Sequence, residues 1–170
     1  MEHQRQTSRR LHEEHLATLG AWGRLEQAIA ERRPDRLPAA SGAGPDSELD
    51  RALRECSAGL AGEVSRHFEF EEQEIFPRLA DAGETDIVQL LAEEHDTIRA
   101  AAQEFTALAA ALRAGGLDGP GWRRLRTLAL ELAERLTVHV QKEEMALLPM
   151  LDDLLDEDTD RELIAAYSAA

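Results

Sequence analysis

The chain has 170 residues, 43% of them apolar, which is enough for one domain with a real core. Aromatics at 4% and the scarcity of alternating stretches argue against strands, while abundant Ala, Leu and Glu favour helix. A formal charge of −15 sets the protein against nucleic-acid backbones and anionic lipid surfaces, both of which would repel it. Cys56 is the sole cysteine, so no internal disulfide forms and a reducing compartment is expected. The polar opening "MEHQRQTSRR" does not read as a secretory signal, and no apolar run approaches a membrane span. These features together predict a cytoplasmic protein.

Helical periodicity predicts four helices. In the first, Leu11, His15, Thr18, Trp22, Leu25 and Ile29 recur at three- and four-residue steps. "RRPDRLPAASGAGPD" follows as a loop, and Asp46 or Ser47 is placed to cap the second helix. The second helix turns Leu49, Leu53, Cys56, Leu60, Val64, His67, Glu71 and Ile75 inward. After "DAGETD", the third carries Ile87, Leu91, His95, Ile98, Phe105, Leu108 and Leu112. After "RAGGLDGPG", the fourth carries Trp122, Leu125, Leu128, Leu132, Leu136, His139, Glu143 and Leu147. "DRELIAAY" reads as a last amphipathic turn or two. Pro77 and Pro149 should kink or end their helices. The short second and third connections predict antiparallel neighbours, hence an all-α, up-down-up-down four-helix bundle with a short C-terminal helix.

Two phrases repeat within this pattern. "HFEFEEQEIFPRL" at 67–79 and "HVQKEEMALLPML" at 139–151 align His67 with His139, Glu71 with Glu143 and Pro77 with Pro149. "LHEEH" at 11–15 aligns with "LAEEH" at 91–95. The chain is therefore two hairpins of one kind, each reading LxEEH and later HxxxEE. His and Glu at i and i+4 share a helix face about 6 Å apart. Alone such a pair is an ordinary surface contact, but both copies lie inside apolar stripes, as do His15 and His95. Uncompensated, these groups would cost several kcal/mol per ion on burial. A shared proton network could compensate; a metal centre does so better and explains why all four helices contribute. Two equivalent half-sites imply two metals, with the carboxylates placed to bridge them.

These residues resemble the hemerythrin family, in its bacterial HHE cation-binding branch. The resemblance covers roughly residues 8–155 of a single domain spanning 1–170. It implies an antiparallel four-helix bundle around two iron ions bridged by carboxylates and an oxo or hydroxo group. His15, His67, Glu71, His95, His139 and Glu143 are the ligands it implies. In oxygen carriers of the family the third helix reads HxxxH, whereas here Arg99 stands four residues after His95. That departure shifts the expectation from reversible oxygen carriage to reaction with dioxygen, hydrogen peroxide or nitric oxide, or to iron handling. An iron or oxygen sensor or store without turnover is the alternative, and a zinc or manganese bundle a third. His12, about 60° and 4.5 Å from His15, is a further candidate ligand, with an exposed histidine or one that orients a ligand as the alternatives.

Other residues attract blander readings. Cys56 is a core residue about 16 Å along the helix from His67. His3 is solvated. Trp22 and Trp122 anchor the core. Glu72 and Glu144 point about 100° from their neighbouring candidates, toward solvent or another helix. Glu14 and Glu94 are by default solvated, with roles behind the ligands as the alternative.

Overall fold

The structure, a computed structural model, describes residues 4–33 and 47–169. His3 and nearly all of the expected 32–46 loop lie outside the described residues. Those residues contain no strand and form five helical runs. Helix α1 is Gln6–Ala30, α2 runs through residues 48–81, α3 is Thr85–Arg113, α4 runs through 119–154, and α5 is Glu157–Ala169. The last is longer than the turn or two that "DRELIAAY" suggests, because Asp156 caps it upstream by accepting the Thr159 N–H at 2.8 Å.

Local chemistry sets the other ends. Ser47 Oγ accepts the Asp50 N–H at 3.1 Å and caps α2, while the other candidate, Asp46, lies outside the described residues. Asp118 accepts the Gly121 N–H at 2.7 Å and opens α4. The two short connections turn on Gly83, with φ 102°, and Gly115, with φ 72°. Behind each, an amide reaches five residues back, Glu84 to Leu79 and Gly116 to Ala111, both at 2.9 Å. This closes orphan carbonyls around a left-handed residue, which glycine alone adopts without strain.

Pro77 and Pro149 do not end their helices. A mid-helix proline lacks an amide hydrogen and crowds the carbonyl four residues back, here that of Gln73 or Met145. The backbone relieves this by widening one turn, Glu71–Ile75 and Glu143–Leu147, into π geometry. Phe76 N–H then donates to Glu71 O, and Leu148 N–H to Glu143 O. Each widened turn begins on the glutamate of the repeat, a placement typical of functional sites. A third, Leu60–Val64, has no following proline; it contains Gly62 and adjoins Gly59, residues that hold the regular pitch weakly.

The predicted inward stripes are buried except for Thr18, Ile87 and Leu108, which are partly so. Side-chain contacts give the order of packing. Cys56 Sγ donates to Ala21 O, and Arg24 pairs with Glu55. Arg126 donates to Ile29 O, Arg124 pairs with Glu104, and Arg113 with Asp50. The apolar interior is split in two. The larger core holds Trp22, Leu25, Ile29, Leu53, Cys56, Phe105, Trp122 and Leu132. The smaller holds Leu11, Phe70, Ile75, Leu79, Leu91, Leu147, Leu151 and, from α5, Leu163 and Tyr167. Each fully buried large side chain contributes about 1.5–3 kcal/mol. Helix α5 also completes α1, whose first turn has no side-chain cap of its own. Asp160 accepts the Gln6 and Thr7 N–H groups, both at 2.9 Å. Among the described residues no helix is long and apolar enough to cross a membrane.

Candidate metal centre

Between the two cores lies a polar layer. His15 comes from α1, His67 and Glu71 from α2, His95 from α3, and His139 and Glu143 from α4. None is more than 6% exposed. The Nε2 atoms of His15 and His67 are 3.2 Å apart, and those of His95 and His139 3.1 Å. Glu143 lies 3.0 Å from His15 Nε2 and 2.9 Å from His139 Nε2. Glu71 lies 3.2 Å from His67 Nε2 and 3.4 Å from His95 Nε2. Two four-residue groups follow, His15–His67–Glu71–Glu143 and Glu71–His95–His139–Glu143, with donor atoms within 4.8 Å of one another. Both glutamates belong to both groups, so the layer has two halves joined by two carboxylates.

The outward nitrogens are all engaged. His15 Nδ1 meets Glu144 at 2.6 Å and His67 Nδ1 meets Glu14 at 3.0 Å. His95 Nδ1 meets Glu72 at 2.7 Å and His139 Nδ1 meets Glu94 at 3.0 Å. An ionised carboxylate only accepts, so each ring carries its hydrogen on Nδ1 and turns Nε2 inward. This arrangement fixes tautomer and ring angle around a metal. The four carboxylates are the second glutamate of each HxxxEE and the one before the histidine in each LxEEH. The sequence carried a signal for them: the doubled glutamate is kept in every copy of the repeat. Solvation as the default reading of Glu14 and Glu94 is thereby corrected, and Glu72 and Glu144 turn to a neighbouring helix rather than to solvent.

Electrostatics matches this layout. Burial alone would lower the His95 pKa, but the Glu143 and Glu71 carboxylates outweigh it and raise it to about 9. His67 is likewise raised despite burial, by Glu71 and Glu14, and His15 by Glu143 and Glu144. Burial would raise Glu143, yet the surrounding His139, His15 and His95 hold it well below the usual range. Glu71 is lowered too, although burial and Glu143 oppose this, because His67 outweighs them.

Two compensations for the buried charge can be weighed on geometry. A proton network needs donors aimed at the carboxylates, and the inward Nε2 atoms, though 2.9–3.4 Å away, make no well-directed hydrogen bond to any of the four oxygens of Glu71 and Glu143. The paired Nε2 atoms would also have to share protons face to face. A cation about 2 Å from each of two nitrogens accounts for both features. Four imidazoles with two carboxylates suit a divalent transition metal better than calcium or magnesium. The residues present fit a metal pair.

The remaining candidates fall outside the two groups. His12 is 37% exposed and its Nδ1 meets Glu144 at 2.9 Å, beside His15 rather than within the layer. Arg99, where oxygen carriers place a histidine, pairs with Glu72 at 2.9 Å and lies 5.5 Å from the Phe68 ring centre. Cys56 is packed in the larger core, and burial pushes its thiol up to about 12. Trp22 packs on Phe105 with ring centres 5.2 Å apart, and Trp122 is fully buried, both as core anchors. Phe68 stacks on His95 at 3.7 Å. A cavity of about 20 Å³ touches His15, His67, His139 and Glu143 and is otherwise walled mainly by Val64, Phe68, Leu136 and Val140. That volume admits one water-sized molecule.

The family profile described as the hemerythrin HHE cation binding domain matches residues 6–151. No curated protein matches the chain.

Proposed function

The chain belongs to the hemerythrin HHE cation-binding family, and on that footing we propose that it holds two iron ions and reacts with a small oxidant: dioxygen, hydrogen peroxide or nitric oxide. The observation that carries this reading is the pair of buried four-residue groups sharing Glu71 and Glu143. His15 and His67 would hold one ion and His95 and His139 the other, with Glu71 and Glu143 within reach of both. Helices α1 to α4 form an antiparallel four-helix bundle in one domain. Its support is the opposed order of contacts, with Ala21 near Cys56 but His15 near His67, and Ile29 near Arg126 but His15 near Glu143.

When bound, iron supplies the electron changes that reduction of an oxidant requires. The chain's residues do the rest. Glu14, Glu72, Glu94 and Glu144 keep the imidazole lone pairs aimed inward. Val64, Phe68, Leu136 and Val140 keep bulk water from the layer and leave room for one small molecule. Arg99 is engaged with Glu72, so it adds no ligand where a carrier has one, which favours reaction over reversible carriage.

The test is metal content together with the optical spectrum of aerobically purified protein, before and after peroxide or nitric oxide. About two irons per chain, near-ultraviolet charge-transfer bands and, once a chemical electron donor is added, steady consumption of the oxidant are expected. Stoichiometric zinc with refusal of iron would sink the reading. Bound iron without turnover would assign the protein to iron sensing or storage.

A further inference from the structure

The two halves of the layer repeat each other in sequence, yet they are held from behind by different means. Glu14 and Glu94 occupy the same place in LxEEH, and each accepts the Nδ1–H of a histidine on another helix. Glu94 is 23% exposed, and its other partner is the ammonium of Lys142, itself 31% exposed. Glu14 is only 9% exposed. Its Oε2, the oxygen that meets His67, also accepts the hydroxyl of Tyr167. The same carboxylate is joined by Arg10 at 2.8 Å and Arg66 at 3.5 Å.

Tyr167 comes from α5, beyond the residues 6–151 that the family profile covers. It is 4% exposed. Its ring packs on Phe70 with centres 4.4 Å apart, under the guanidinium of Arg66 at 5.1 Å. Helix α5 is fastened to α1 upstream, through Asp160 on the Gln6 and Thr7 amides. A phenol fixed by packing holds its acceptor in one place. A surface ammonium on a flexible stem does so less well, since its ion pair is screened and costs side-chain entropy.

We propose that Tyr167 is a positioning residue for the metal centre. By fixing Glu14 it fixes the ring of His67, so that the His15–His67 half takes up its ion more tightly than the His95–His139 half. This rests on the reading of the layer as a two-ion centre. It makes loading ordered, and it gives the terminal helix a role at the metal that the sequence repeat does not contain.

The experiment is an anaerobic titration of the metal-free, full-length protein with ferrous ion, read by binding stoichiometry and Mössbauer spectra. Wild type should load in two unequal phases. Tyr167→Phe, which removes only the hydroxyl, should weaken the tighter phase ten- to a hundredfold, the usual effect of losing a group behind a ligand. The weaker phase should stay in place. Glu14→Gln should weaken the same phase, and Tyr167→Phe added to it should do little more, because the tyrosine acts through that carboxylate. Lys142→Met should weaken the other phase instead. A purely structural role for Tyr167 would weaken both phases together and lower the thermal midpoint of the metal-free protein; that result overturns the proposal. So does a Tyr167→Phe titration that superimposes on wild type. Should Tyr167→Phe fail to fold, Glu14→Gln carries the decision, and equal loss in both phases counts against the proposal. Wild type binding fewer than two ferrous ions would remove the two-ion reading and this inference with it. Two ions in wild type with an unaltered Tyr167→Phe would remove the inference alone.

Discussion

His139 is held at Nδ1 by Glu94 and faces Glu143 and His95 through Nε2, so truncating it empties one half of the layer. We expect His139→Ala to lose at least one of two ions and to lower the thermal midpoint of the iron-supplied protein. A ligand at a hundredfold its Kd adds about 2.7 kcal/mol to the folded state, and that increment should vanish. Equal midpoints for loaded wild type and variant would count against a metal in the layer. His12→Ala should keep both ions, because His12 meets Glu144 from outside the two groups; loss of an ion would restore it as a ligand. At this scale the sequence was informative where burial made polarity anomalous. His15, His67, Glu71, His95, His139 and Glu143 stand in apolar stripes, and such placement demands compensation. The four carboxylates behind them were harder to see. Each is partly exposed or at the edge of burial, so its own helix gives no reason to distinguish it from a solvated glutamate. Tyr167 was legible only as part of the amphipathic "DRELIAAY", and its link to the site was not, since its partner Glu14 is 153 residues away.

Among the helices, the prolines show how an element is bent to a purpose. Pro149 widens the turn at Glu143–Leu147, and that turn begins on a glutamate shared by both groups. An interior proline costs about 3 kcal/mol relative to Ala. Pro149→Ala should therefore raise the thermal midpoint of the metal-free protein, yet weaken iron retention as the turn tightens and re-aims Glu143. Competition with a chelator measures the second effect; retention equal to wild type would show that the widened turn does not set the carboxylate. The four long helices were legible because their apolar positions recur at three- and four-residue steps over many turns. The widened turns were not. A rule for proline alone predicts a kink or a stop, and only the packed neighbours decide that the helix continues. The same holds for α5, whose anchoring through Asp160 depends on amides at the far end of the chain.

For the molecule as a whole, protons and a bound metal would compete for one set of sites. His95 has its pKa raised from 6.5 to about 9 in the metal-free fold. The stabilisation from its pairing with carboxylates is complete below pH 6.5 and is lost as pH rises through about 9. Glu144 is lowered from 4.5 to about 2, so its contribution is present above pH 4.5 and lost as pH falls through about 2. Metal-free protein should thus be most stable between pH 4.5 and 6.5. Metal must displace the imidazole protons, so the gap between loaded and metal-free midpoints should widen from pH 6.5 toward 9, with protons released on binding. Calorimetry with and without chelator reads both; a gap that narrows toward alkaline pH would contradict this scheme.

The division of the interior into two cores has a kinetic consequence. Each core draws on distant parts of the sequence, and among the described residues the two apolar clusters are separate, meeting at the polar layer where the His95 ring packs on Phe68 of one and Phe76 of the other. Without metal, amide hydrogens around Ile75–Leu79 and Leu147–Leu151 should exchange with solvent through local opening of the smaller core. Those around Leu125–Leu136 in the larger core should wait for global unfolding. An ion gripped by four helices would tie the two openings together. The exchange rates of the two regions should then converge when metal is added, turning a molecule with two foldons into one.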